Sequence, residues 1–164
     1  YGRIQTEKIV SELAKQKIGA LFVLRRHGKL RDFLESGISL EAVVSRELLV
    51  TLFWPNSPTH DGAVIISEDQ VLAAGCVLPL TQQAALDKSL GTRHRAGLGV
   101  TENSDAVAII ISEETGQISL AREGKLTSNM SRTQLLHTLN EIFSQESTTT
   151  GGWLEKLSRL FEKK

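Results

Sequence analysis

The sequence predicts a single α/β domain built on a central mixed β-sheet surrounded by helices, and three observations carry that reading. Segments with apolar residues at helical spacing alternate along the chain with short apolar runs of strand length. Two pairs of those runs are joined by connections of hairpin length, which makes part of the sheet antiparallel. The chain has 164 residues, of which 40% are hydrophobic and 23% charged, enough for one compact domain with a sizeable core. At least five strands interleaved with helices make a mixed sheet the natural class.

In TEKIVSELAKQKIG, Ile9, Val10, Leu13, Ala14 and Ile18 repeat with helical period, and the following GALFVLR reads as a buried strand. SLEAVVSRELLVTLFWP places Leu40, Val43, Val44, Leu48 and Leu52 on one helical face. There Ser39 is the expected N-cap, Glu41 lies in the first turn and Pro55 is the stop signal. After NSPTHDG come AVIIS and VLAAGCVLPL, two strands joined through Glu68, Asp69 and Gln70. DAVAIIIS and QISLARE form a second pair joined through EETG. Between the pairs, QQAALDKSLGTRHRAGLGVTEN reads as one helical turn ending at Gly91 and a second helix beginning at Thr92. The last helix of the domain starts at Ser131, with Gln134 completing a capping box, and is expected to bury Leu135, Leu136, Leu139, Ile142 and Phe143. The domain is read as residues 1–145. Residues 146–164 read as a polar linker, ESTTTGG, and an amphipathic tail with Trp153, Leu154, Leu157, Leu160 and Phe161 as its stripe. The tail either docks on the domain or a neighbouring chain, or lies on a membrane.

Nineteen basic residues balance nineteen acidic ones, so there is no global cationic field to draw in nucleic acid or an anionic membrane. The lone Cys76 sits in an apolar run and reads as a small buried residue of a reducing compartment. No apolar stretch reaches the roughly 18 residues of a membrane span, and the start, Tyr1, is neither an initiator Met nor part of a signal sequence. The pairs Gly28-Lys29 and Gly124-Lys125 lack both the earlier glycine and the following hydroxyl of a P-loop. There is no H-E-x-x-H, no C-x-x-C and no G-x-S-x-G, which excludes the simplest zinc and serine-hydrolase chemistries.

Three clusters remain. His60-Asp61-Gly62-Ala63 stands at the entrance of a strand, where Asp beside His offers oxygen and nitrogen ligands for a divalent metal and Gly62 allows close backbone approach. A turn in which Asp61 bonds local backbone explains the same residues. Gly91-Thr92-Arg93-His94-Arg95 stands at a helix start, where free N–H groups and the dipole favour an anion and a guanidinium can grip phosphate bidentately. Thr92 either caps the helix or donates to the same oxygens; surface ion pairs are the other reading of the arginines. Ser112-Glu113-Glu114 presents a hydroxyl and carboxylates at the end of a strand, or is a solvated hairpin turn. A metal-capable carboxylate, a cationic helix terminus and a second carboxylate are together the parts that nucleotidyl transfer requires.

With Asp61-Gly62-Ala63 and Arg93-His94-Arg95 about thirty residues apart, the chain resembles the bacterial diadenylate cyclases. The resemblance runs through AAGCVLPL, LGTRHRAGLG and SEETGQISLAREGKL to about Ser144, and is best for the class whose catalytic domain follows membrane helices. It implies condensation of two ATP into cyclic di-AMP with release of two pyrophosphates, using Mg²⁺ or Mn²⁺, in a homodimer whose two half-sites face each other. It implies that Asp61 binds metal and helps activate the 3′-hydroxyl, with His60 and Glu114 as further metal ligands. Arg93, His94 and Arg95 contact phosphates, and Thr92 and Ser112 donate to them. Gly62, Gly75 and Leu78 lie against ribose and adenine, and Ala63 and Glu113 belong to the same nucleotide-binding set. The chain departs from the family where an aromatic residue is expected before the leucine of LPL: it carries Val77, which removes a stacking surface. The resemblance also implies upstream membrane helices absent from this chain, placement at the cytoplasmic face of a bacterial membrane, and no nucleic-acid polymer as partner. The competing readings are a module that binds ATP or a cyclic dinucleotide without turnover, and a different nucleotidyltransferase or metal-dependent phosphohydrolase.

Overall fold

The computed structural model describes residues 2–149. Four largely apolar runs make the centre of the sheet. These are β1 (Ala20–Leu24) and β5 (Val107–Ile111), buried at every position, and β3 (Ala63–Ser67) and β6 (Ile118–Arg122), buried at all but their last residue. Such runs suit strands covered on both faces, because successive side chains point to opposite sides and both sides must be apolar. The register bears this out: Ala20, Phe22 and Leu24 of β1 join one core with Val64, Ile66, Val107, Ile109 and Ile111, while Leu21 and Val23 join a second core with Ala63, Ile65, Ala108 and Ile110.

With β2 (Ile38–Val43), β4 (Gln70–Cys76) and β7 (Lys125–Thr127), the sheet has seven strands in the order β2-β4-β3-β1-β5-β6-β7. β1 and β3 are parallel and every other pairing is antiparallel, so the sheet is mixed, as expected. On the first core pack α1 (Gly2–Lys15), through Ile9, Val10 and Leu13, and α3 (Arg46–Phe53), through Leu49, Leu52 and Phe53. α5 (Arg132–Thr149) joins them through Leu135, Leu139 and Ile142. The second core is closed by α4 (Thr92–Glu102), through Ala96, Leu98 and Val100, with Phe33 and Leu34 of the short α2 (Arg31–Glu35) against it. The start of α5 is as expected: Gln134 N donates to Ser131 Oγ at 3.1 Å, and Ser131 N donates to the Gln134 side-chain oxygen at 2.8 Å. Leu136 and Phe143 are half-buried.

Three expectations are corrected. The single helix over 39–55 is instead a strand and a helix. Residues 38–43 pair with β4, with Ile38 opposite Ala74 and Val43 opposite Gln70, and Glu41 takes a positive φ at a register shift. The helix is shorter, and its cap is Ser45 in place of Ser39, the hydroxyl accepting from Leu48 N at 3.1 Å. Leu40, Val43 and Val44 fit a helical period while Leu40, Ala42 and Val44 fit strand alternation, and pairing to β4 decides between them, leaving Val43 on the outer face. Residues 82–91 form turns with no helix, held at one end where Thr81 N donates to Arg95 O at 3.0 Å and Gln83 Nε2 donates to Gly124 O at 2.9 Å. Finally, α5 continues to Thr149, into the stretch read as linker, because Glu146–Thr149 extends a helix already nucleated by its packed face. The expected amphipathic stripe from Trp153 to Phe161 lies outside the described residues.

Candidate functional site

The strand directions bring the three sequence clusters to one end of the sheet. Phe22 of β1 stands beside Val64 of the parallel β3, so both strands begin at that end. β4 and β5 run opposite to them, so both finish there: Cys76 lies opposite Ala63, and Ile111 opposite Ala20. The residues before β3, after β4 and after β5 are therefore neighbours, and the N-terminus of α4 closes over them. Together they line a cleft of about 670 Å³, within the range of small-molecule sites. Of the residues expected from sequence, His60, Asp61, Gly62, Gly75, Leu78, Thr92, Arg93, His94, Ser112, Glu113 and Glu114 line the cleft. Ala63 and Arg95 do not: Ala63 is wholly buried in the second core. Arg95 is two residues from Arg93 on a helix, about 200° around the axis, so the two side chains leave it in opposite directions.

The segment leading to Asp61 is pinned to the end of α3, where the Ser57 and Thr59 hydroxyls both donate to Leu52 O, at 3.0 and 2.9 Å. His60 Nδ1 lies 2.6 Å from Ser57 O. A carbonyl only accepts, so Nδ1 carries the proton in the neutral ring and Nε2 is left with its lone pair. This is the arrangement by which a second group orients a metal-binding imidazole. Asp61 is exposed, and Gly62 follows with φ of +108°, a conformation open to glycine and strained for other residues.

At α4 the N-cap is Gly91, and no side chain caps the first turn. Thr92 is the first helical residue and not its cap, so its exposed hydroxyl remains beside the cleft. The Arg93 side chain is 20% exposed; Nη1 lies 3.4 Å from the Glu113 carboxylate, and Nε is buried without a hydrogen-bond partner. His94 titrates below its ordinary range because burial penalises the imidazolium and the Arg93 charge adds to that penalty. Across the cleft, Ser112 Oγ accepts from Glu114 N and Thr115 N, each at 3.2 Å, which shapes the turn and leaves the hydroxyl proton free to be donated. Glu113 and Glu114 are exposed.

The apolar wall includes Leu78, nearly buried, and Val77, 69% exposed. Cys76 also borders the cleft, with its thiol pushed up to about 11 by burial and therefore kept protonated. Leu21, Leu80, Ser89, Gly91, Ala96 and Ile111 complete the lining, and of these sequence reading singles out only Gly91. Ile111 and Leu21 carry no chemical signal beyond being strand residues, and Ser89 lies in a segment whose course only the fold reveals. Among the described residues no group of three or more His, Cys, Asp or Glu stands close enough together to enclose a metal ion. None of the described helices is long and apolar enough to cross a membrane.

Comparison with known proteins gives one answer. Residues 7–126 match the family model described as DAC, DisA bacterial checkpoint controller nucleotide-binding. The chain is 43% identical over 143 residues to the cyclic di-AMP synthase CdaA of Bacillus subtilis, covering 87% of this chain and 52% of that protein. It is 46% identical over 129 residues to a diadenylate cyclase of Listeria monocytogenes, covering 79% of this chain and 47% of that one. It thus spans about half the length of these curated relatives. Among solved structures, a double mutant of DacA from Staphylococcus aureus is similar with a TM-score of 0.83 and 44% identity, covering 85% of this chain and 93% of that one. A hypothetical membrane spanning protein from Bacillus cereus is similar with a TM-score of 0.75 and 38% identity, covering 78% of this chain and 63% of that one. On the match over residues 7–126 and on these identities, the chain belongs to the DAC, or DisA bacterial checkpoint controller nucleotide-binding, family.

Proposed function

We propose that this chain is the catalytic domain of a diadenylate cyclase, joining two ATP into cyclic di-AMP with release of two pyrophosphates. The observation that carries the reading is the convergence in one cleft of His60, Asp61 and Glu114 with Arg93 and His94 at the open N-terminus of α4. The names of the B. subtilis and L. monocytogenes relatives support it.

The donors present fit Mg²⁺ or Mn²⁺. His60 Nε2 and the Asp61 carboxylate, neighbours in the chain at one wall of the cleft, would hold a hydrated cation that completes its shell on phosphate oxygens, and Glu114 lines the same cleft without joining them in a three-residue cluster. When bound, such a cation neutralises phosphate charge and acidifies a neighbouring hydroxyl. The protein's own part is orientation and charge. Asp61, exposed at the cleft wall, accepts the proton of the attacking 3′-hydroxyl. As the new oxygen–phosphorus bond forms at the α-phosphate and the bond to pyrophosphate breaks, Arg93 and the first-turn N–H groups of α4 stabilise the charge that grows on the leaving group. Thr92 and Ser112 donate hydrogen bonds to phosphate oxygens. His94, kept neutral by burial, offers one donor and one acceptor. Gly62, Gly75 and Leu78 lie against ribose and base, and Val77 extends that apolar surface. Arg95, directed away from Arg93, serves the phosphates only through its place in the helix.

One cleft holds one ATP, and ring closure needs the 3′-hydroxyl of each nucleotide at the α-phosphate of the other. We therefore place the active unit in a homodimer with facing clefts. Anchoring to the cytoplasmic face of a bacterial membrane, through a segment that is not in this chain, accords with the membrane spanning similarity from B. cereus. The test is the dependence of specific activity on protein concentration: it should fall on dilution, because pairing is required. Activity independent of concentration would contradict facing subunits.

A further inference from the structure

We infer that Gly19 is a positioning residue for Arg93: its missing side chain is the space in which the guanidinium lies, and that space fixes where the arginine delivers its charge. The inference rests on the nucleotide reading above. Gly19 is buried between α1 and β1, just before Ala20, whose register partner is Ile111 at the cleft. A Cβ built on it would stand 2.7 Å from Arg93 Nη1, 2.9 Å from Arg93 Cζ and 3.0 Å from Glu113 Cβ. Carbon is not found that close to another heavy atom without a bond, so any side chain at this position moves the guanidinium.

The backbone of Gly19 does not itself require glycine, since its φ is not among the positive ones. The requirement is therefore steric. The two shortest contacts fall on the far end of a flexible side chain, which yields by rotation, and the third, with Glu113 Cβ at 3.0 Å, needs a shift of a few tenths of an ångström in the exposed turn that carries Glu113. The other restraint on the guanidinium is loose: the 3.4 Å separation from the 66%-exposed Glu113 carboxylate exceeds the roughly 2.7–2.9 Å of a tight charge-assisted hydrogen bond. Arg93 Nε is meanwhile buried and unpartnered, a costly state for a charged donor that an incoming phosphate oxygen would relieve. Gly19 and Glu113 thus form two sides of a seat that holds the charged head beside the N-terminus of α4, ready for an anion.

The test is a double-mutant cycle read by calorimetric titration of a non-hydrolysable α,β-methylene analogue of ATP with Mg²⁺, on wild type, Gly19→Ala, Arg93→Ala and the double variant. Gly19→Ala should bind about tenfold more weakly, the scale of one lost charge-assisted hydrogen bond, while keeping its urea unfolding midpoint. In the Arg93→Ala background the same change should have no further effect, because the group it displaces is gone. Arg93→Lys, whose head lacks the guanidinium plane, should make Gly19→Ala less costly than it is beside arginine. Three results would overturn the inference: wild-type affinity in Gly19→Ala, effects that multiply in the double variant, or a Gly19→Ala chain that no longer unfolds cooperatively. A wild-type chain that binds no analogue would instead overturn the nucleotide reading, an outcome distinct from all three.

Discussion

Gly62 and Gly75 meet backbone to backbone where β3 begins and β4 ends: a methyl group on Gly62 would stand 2.8 Å from the carbonyl carbon of Gly75. Both have positive φ, +108° and +64°, but their surroundings differ. A methyl on Gly75 would find nothing nearer than Asp61 O at 3.9 Å. Gly62→Ala combines a disfavoured φ with a backbone collision and should destabilise the domain by about 2–3 kcal/mol. Gly75→Ala meets only the left-handed penalty of about 1 kcal/mol. Urea denaturation of the two variants checks the difference, and equal losses would mean that the two strands separate easily at this point.

His94 should titrate with a midpoint below 6.5, followed by the imidazole proton shifts in NMR. Because its folded value is lowered, chiefly by burial and then by Arg93, the stability it contributes is present above the unfolded value near 6.5 and is lost as pH falls through the folded one. Arg93→Gln removes the nearby positive charge and should move the midpoint back upward, although not fully, since burial remains. An unmoved midpoint would show that Arg93 is not held beside the ring.

Glu7 is fully buried on α1, and its carboxylate accepts from Arg132 Nε at the start of α5 while the second oxygen has no partner. Removing one member of such a pair strands a buried charge. With Arg132 half-exposed and water able to reach that side, Arg132→Ala should cost about 2–3 kcal/mol. Adding Glu7→Gln to Arg132→Ala should recover part of the loss in urea denaturation. If both variants unfold like the wild type, the pair does not clamp the two helices.

Chain-local features were legible in the sequence: the central apolar strands, the Ser131–Gln134 capping box and the three polar clusters. Features set by distant residues were not. Residues 38–43 satisfy helix and strand patterns alike, and β4 decides. Arg93 and Arg95 look equivalent as letters, whereas a helix separates them by about 200°. Nothing near Gly19 in the chain indicates that a side chain from residue 93 will occupy its space. Most of the residues singled out in the sequence, though not Ala63 or Arg95, line one cleft because strand ends gather at one edge of the sheet, and the misplaced helix arose because short apolar runs fit both periods.

The most direct test of the account is mass spectrometry of the nucleotides formed when the purified chain is incubated with ATP and Mg²⁺ or Mn²⁺, over a wide range of protein concentration, beside an Asp61→Asn control. Asp61 is exposed, so this change should leave stability within about 0.5 kcal/mol while lowering turnover by a factor of about 100 or more. The account predicts cyclic di-AMP and pyrophosphate from the wild type and their loss in the control. Recovery of ATP alone under both metals at every concentration, or undiminished cyclic di-AMP from Asp61→Asn, would contradict it.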